Sequence, residues 1–299
     1  MGACVRANVD LPSGLYVVAT PLGHARDITL RALDVLHAAD VIYCEDTRHT
    51  AKLAALYDIK THRRAYHEHN GARIRPQILK QLAAGAVVAL VADAGTPLIS
   101  DPGQPLVRAV HEAGYAVFPI PGASAPIAAL SVAGLPSDRF AFIGFLPAKA
   151  QARRRLLGRL AQLDMTLIFF ESPRRLAALL KDFEVFEGPR DIVVARELTK
   201  IFEEIVRGKI DEVAAYFADN LPRGEVTVLV APPSTQPPAL ADNALYDLLR
   251  PALAQMSVRD AVQQVVAATG EKRKRVYAAA LVLTKNKEAK NKEGKNDPS

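Results

Sequence analysis

The 299-residue chain is 49% hydrophobic and 23% charged, a balance that supports an ordinary buried core and excludes a globally disordered chain. Its two cysteines, Cys4 and Cys44, form no Cys-x-x-Cys pair, which excludes a disulfide framework or cysteine-rich zinc site and predicts a reducing, cytoplasmic setting. The net charge of +6 is uneven: residues 271–299 hold nine Lys/Arg against four Asp/Glu, leaving +1 for the remainder.

A basic end on a nearly neutral body points to a polyanion such as RNA, with a solvated tail as the plain alternative. No apolar run reaches the ~18 residues of a membrane span, and the first residues lack the apolar core of a signal peptide. No membrane association is expected. The length predicts two domains with an appendage.

In chain order, residues 1–13 read as a leader. Residues 15–19 form a short apolar strand broken at Thr20-Pro21-Leu22-Gly23, and Thr29 is placed to cap the helix that follows. Residues 41–44 are a second strand running into Glu45-Asp46-Thr47-Arg48. Helices are predicted at 50–56 and 74–84, with a polar segment between them that carries His67 and His69. These two histidines read as solvent-facing rather than as ligands.

The central strand, residues 87–92, is apolar throughout and so reads as buried on both faces. It ends in a turn holding Asp93, Gly95 and Pro97, followed by Asp101-Pro102-Gly103. A helix at 105–113, a strand at 115–120, the turn Pro121-Gly122-Ala123-Ser124 and a small-residue helix at 125–133 complete a mostly parallel α/β half.

Strands at 140–146, 166–170, 191–195, 202–207 and 226–231 have fewer intervening helices, which predicts an α+β second half. Four prolines in 232–238 mark a linker. Beyond it lie two or three short helices, one capped by Ser257 and ended by Gly270, and then a tail at 285–299 predicted to be disordered. The domain plan is therefore 14–134, 135–231, linker 232–239, a helical RNA-binding module at 240–284, and the tail.

The turns after four predicted parallel strands would share one sheet edge, where small molecules bind in open α/β sheets. None is Gly-x-Gly-x-x-Gly or a Walker loop, so the cleft lacks the phosphate cradles of NAD and ATP. No Gly-x-Ser-x-Gly elbow and no metal-ligand spacing occurs, and no metal is expected. The second half offers charged strand ends, Phe170-Glu171-Ser172-Pro173-Arg174 and Arg196-Glu197-Leu198-Thr199-Lys200, as the far wall of a cleft. Ion pairing between domains is the alternative reading of those charges.

The segments GLYVVATPLG, DIT, CEDTR, DAGTPLISDPG, PGAS, GLPSDRF, GFLP, FFESPRR and ARELTK together resemble the tetrapyrrole-methylase superfamily. The likeness is greatest to its ribosomal RNA small-subunit methyltransferase I subfamily. It runs from about 14 to 231 and, more weakly, over 267–283.

This resemblance implies two α/β domains with a cleft between them, S-adenosylmethionine as donor, and a homodimer. It implies 2′-O-methylation of a cytidine in the decoding region of 16S ribosomal RNA or the small subunit. Methylation of a tetrapyrrole precursor and a non-catalytic RNA-binding assembly factor are the alternatives.

Carried over by position, the resemblance implies donor contacts at Leu22, Asp93, Thr96, Ile99, Ser124, Ala125 and Phe170, with Leu198 and Glu225 on the far wall. Many relatives have Gly-Asp-Pro where this chain has Gly95-Thr96-Pro97, so Asp93 is expected to supply the acid. Candidate proton acceptors are Glu45, Asp46 and Glu171, with Lys200 if burial lowers its pKa. Arg48 and Arg174 are candidates to hold phosphates by forked hydrogen bonds. Lys272, Arg273, Lys274 and Arg275, beside Tyr277, are candidates to grip the RNA backbone.

Overall fold

A computed structural model describes residues 10–220, 222–233 and 240–293, of which 285–293 are described by backbone alone. Residues 1–9 of the expected leader, 234–239 of the expected linker and 294–299 of the expected tail lie outside the described residues.

Five strands, β1 (Gly14–Val18), β2 (Val41–Cys44), β3 (Arg63–Ala65), β4 (Val87–Val91) and β5 (Val117–Ile120), pair in the order β3-β2-β4-β1-β5. Every pairing is parallel. β4 is buried along its whole length because helices cover both faces of the sheet. Thr29 accepts a hydrogen bond from the Ala32 N–H and so caps the helix Leu30–Ala38, as its position predicts. His67 lies beyond the end of β3, half-buried, and its Nδ1 has no hydrogen-bond partner.

A second sheet contains β6 (Phe140–Phe145), β7 (Thr166–Glu171), β8 (Asp191–Arg196), β9 (Glu204–Lys209) and β10 (Val226–Val230), in the order β6-β7-β10-β8-β9. Only β6 and β7 pair in parallel. The C-terminal ends of β6, β7 and β8 and the start of β10 therefore share one edge. β9 begins two residues later than the pattern predicts, which leaves Ile201 and Phe202 exposed at the tip before it.

The described residues up to Pro233 group into one compact unit that holds both sheets. Helix Ala125–Ala133 explains why. Its Ala129, Leu130 and Ala133 pack with Ile168, Val193, Ala195 and Leu229 of the second sheet. Small side chains let this helix approach closely, so the chain crosses between sheets without a break in packing.

The C-terminal unit holds helices Asp242–Gln255, Val258–Thr269 and Arg273–Glu293 around Leu245, Leu249, Val262, Val265, Val276 and Ala280. Ser257 caps the second helix, and Gly270, at φ 70°, ends it in the left-handed region. The third helix continues through residues 285–293, correcting the expectation of disorder there. Lys, Glu and Ala have high helix propensity, and extending a nucleated helix costs little. No helix among the described residues is long and apolar enough to cross a membrane.

Candidate active site

The four turns at the edge of the first sheet are tied to one another. Thr20 and Gly95 exchange backbone hydrogen bonds at 2.9 and 3.0 Å, joining the turns after β1 and β4. Thr96 Oγ1 donates to the Ala123 carbonyl at 2.9 Å, which adds the turn after β5. The Asp46 N–H donates to Asp93 Oδ1 at 3.2 Å, which adds the turn after β2. The turn after β4 is thus the hub of a rigid rim.

The second sheet supplies the opposing wall. Glu197 Oε1 accepts from the Glu225 N–H at 3.0 Å and from Lys200 Nζ at 2.8 Å, fixing the loop after β8 against the start of β10. Burial opposes ionisation of Glu197, but these hydrogen bonds and the nearby cations hold its carboxyl below the usual range. Leu98, Ser100, Glu197 and Thr199 take left-handed φ angles without being glycine, and Asp58, elsewhere, does so too. Four of these five strained positions thus lie in the two loops that face each other across the cleft.

Between the walls is a cavity of about 370 Å³, within the range of small-molecule sites. All nine residues predicted to contact the donor line it: Leu22, Asp93, Thr96, Ile99, Ser124, Ala125, Phe170, Leu198 and Glu225. Phe170 packs against Phe142 and Phe145 at 4.8 and 5.6 Å between ring centres, and Phe145 also lines the cavity. The charged lining among the described residues is acidic: Asp93, Asp101, Glu171 and Glu225, with no Lys, Arg or His.

Asp101 is the residue that sequence reasoning missed. Desolvation, and then the charges of Glu45, Asp93 and Glu225, push its carboxyl up to about 6. A carboxyl crowded by like charges favours a cationic ligand, which relieves the repulsion. The available signal was a second acid, ahead of Pro102-Gly103, in the loop that already carried Asp93.

The sequence profile of the Tetrapyrrole (Corrin/Porphyrin) Methylases matches residues 14–214, the whole of the cleft-forming first sheet and most of the second. The chain belongs to the tetrapyrrole methylase family. A second profile, the RsmI C-terminal HTH domain, matches residues 239–284. A relative in Synechocystis named Ribosomal RNA small subunit methyltransferase I is 45% identical over 272 residues, covering 90% of this chain and 98% of the relative.

Among solved structures, the cobalt precorrin-4 methyltransferase of cobalamin biosynthesis aligns with a TM-score of 0.57 at 20% identity, over 73% of this chain and 94% of that one. A Thermus thermophilus uroporphyrin-III C-methyl transferase complexed with S-adenosyl homocysteine aligns with a TM-score of 0.51 at 20% identity, over 73% and 97%. These two show the shared fold.

Within this methylase fold the predicted catalytic residues scatter. Glu171 lines the cavity, but its Oε1 accepts from the Ser172 N–H at 2.7 Å and its Oε2 lies 3.1 Å from Arg175 Nη2. Arg175 also donates to the Leu146 carbonyl, so this pair pins the strand end that carries Phe145.

Glu45 lines no described cavity. Its carboxyl is raised by burial and by Asp93, with His67 opposing. Asp46 does not suit the role of a base. It caps helix Thr47–Leu56, and its hydrogen bonds to Arg48 lower it to about 2. Lys200 also departs from expectation. Burial alone would lower its pKa, but Glu197 and Glu225 outweigh burial and raise it, so it stays a cation.

Arg48 is largely exposed and paired with Asp46 at 2.9 Å, and Arg174 is exposed. In the C-terminal unit, Lys272, Arg273 and Lys274 face solvent. Arg275 does not, because its guanidinium is held by Asp242, Glu271 and the Leu240 carbonyl. Its role is to join helices, not to offer a free cation. No cluster of three or more His, Cys, Asp or Glu is placed to hold a metal among the described residues.

Proposed function

We propose that this chain transfers a methyl group from S-adenosylmethionine to the ribose 2′-oxygen of a cytidine in the decoding region of 16S ribosomal RNA, acting in the cytoplasm as a homodimer. The acid-only cavity carries this reading. The donor bears a sulfonium, an ammonium and a carboxylate, a net charge of about +1, and Asp93 and Asp101, the two lining carboxyls not paired with Arg175 or Lys200, suit its positive groups. The methylase profile, the name of the Synechocystis relative and the bound S-adenosyl homocysteine of the Thermus enzyme support the same chemistry.

When bound, the donor supplies a methyl group made electrophilic by its sulfonium sulfur. Asp101, Asp93 and Glu225 would meet its positive charges, while Phe170, Phe145 and Leu198 offer the apolar surface an adenine needs. Thr96, Ile99, Ser124 and Ala125 sit on the cross-tied turns, so the contacts they make are held in place before binding.

Alignment of the acceptor oxygen is the larger catalytic effect, up to ~7–11 kcal/mol. A general base adds about 10²–10⁴-fold. We assign proton acceptance to the carboxylate of Asp93, which lines the cavity, with Glu45, whose carboxyl burial and Asp93 raise, as the second acceptor. Full activity of Glu45→Ala at saturating RNA would overturn the part given to Glu45.

The homodimer is proposed from the family resemblance, and sedimentation equilibrium tests it. The function is tested by incubating the protein with labelled S-adenosylmethionine and small ribosomal subunits from cells lacking the gene, then mapping the label. The expected product is one 2′-O-methylcytidine in the decoding region. Donor binding without transfer would favour a tetrapyrrole acceptor, and no donor binding a non-catalytic RNA-binding factor.

A further inference from the structure

A second cavity, of about 330 Å³, lies on the other side of Leu22. It shares Leu22 and Asp93 with the first. Its cationic lining residues are Lys52 and Lys200, with His49 beside them, and Asp93 is the sole acid there among the described residues. Lys200 is committed to Glu197 and Glu225. His49 and Lys52 are exposed and, among the described residues, have no acidic partner.

His49, Lys52, Leu53 and Leu56 are spaced to share one face of helix Thr47–Leu56, and all four line the cavity. Leu56 is 62% exposed, an apolar surface beside two unpaired cationic or protonatable groups.

A methyl donor is a cation and an RNA acceptor is a polyanion, so one lining cannot favour both. The acid-only cavity repels a phosphodiester. We propose that the second cavity receives the acceptor nucleotide of a single-stranded RNA. Its phosphate lies beside Lys52 and His49, and its base and sugar rest on Leu53 and Leu56. The acceptor oxygen lies at Leu22 and Asp93, the residues that line both cavities. The inference rests on the RNA-methylating function proposed above. It explains why oppositely charged linings adjoin at the carboxylate assigned to accept the proton, and it requires the target nucleotide to leave any duplex.

Full-length Lys52→Ala, Lys52→Glu and Leu56→Ser variants are compared with wild type in methyl transfer to unmodified small ribosomal subunits over a salt series. Donor affinity is measured by calorimetry. Lys52→Ala is expected to raise KM about tenfold, as for one lost charge-assisted contact, and to reduce the salt slope of RNA affinity by about 0.7. Lys52→Glu should raise KM further, and Leu56→Ser should raise it without changing the slope. Donor affinity and kcat should stay at wild-type values. Wild-type KM and slope in both Lys52 variants would overturn the proposal, as would a loss of donor affinity matching the rise in KM. If wild type transfers no methyl group to RNA, the functional reading falls and this one with it, an outcome distinct from failure of the variants alone.

Discussion

Gly224 and Glu197 meet at one edge of the second sheet, where the end of β8 lies against the start of β10. A Cβ on Gly224 would overlap the Glu197 carboxylate, and Gly224 stands at φ +81°. Gly224→Ala should therefore destabilise the protein by ~1–2 kcal/mol from the left-handed backbone alone. It should also displace the carboxylate that holds Lys200 and the Glu225 N–H. The expected result is a lower melting temperature together with weaker donor binding by calorimetry. Wild-type donor affinity would show that this closure does not shape the cavity.

Asp101 makes donor binding pH-dependent. Its carboxyl titrates at about 6 in the free protein. A bound cation favours the ionised form and lowers that pKa, so affinity is full above about pH 6 and falls as pH drops through it. The loss approaches ~10-fold per pH unit until the pKa of the complex is reached. Calorimetry between about pH 5 and 7 reads this slope. Asp101→Asn should bind more weakly at neutral pH and flatten the profile.

Thr96→Val retains the side-chain shape and removes the hydrogen bond to the Ala123 carbonyl. One such bond contributes ~1 kcal/mol. Donor affinity should fall several-fold because two of the turns bordering the cavity are no longer tied. An unchanged affinity with a reduced melting temperature would assign the bond to stability alone.

The basic residues of the last helix separate into two kinds. Replacing Lys272, Arg273 and Lys274 together by alanine should reduce RNA affinity and its salt slope without changing the melting of the C-terminal helices. Arg275→Ala should do the reverse at first order, since it loses Asp242, Glu271 and the Leu240 carbonyl. Thermal unfolding and RNA titrations over a salt series distinguish the two.

Much of the fold was legible because its signals are local. The unbroken apolar run of β4, Thr29 and Ser257 as caps, and Gly270 as a helix end all follow from side-chain size and hydrogen bonding within a few residues. The nine residues for which the resemblance implies donor contacts all border one cavity. Disorder was predicted for 285–293 from low hydropathy alone, which leaves out helix propensity carried forward from an existing helix.

For Lys200 the stated condition, a pKa lowered by burial, is unmet. Asp46, Lys200 and Arg275 differ from their sequence-based expectations for one reason. Each is a charged residue whose meaning depends on a partner: Arg48 for the first, Glu197 and Glu225 for the second, Asp242 and Glu271 for the third.

By itself, then, the sequence determined the parallel α/β half, the mixed second half, the helical end and the four turns that would meet at one edge. Strand periodicity and turn chemistry are short-range, and a parallel sheet places successive strand ends on one side. Only the tertiary structure decided that the 125–133 helix packs on the second sheet, that Asp101 is crowded by Glu45 and Glu225 from two other segments as well as by Asp93 of its own loop, and that an acidic and a basic cavity share Leu22 and Asp93. Those properties depend on distances between residues far apart in the chain. Desolvation and Coulomb interaction act through such distances, which sequence separation does not encode.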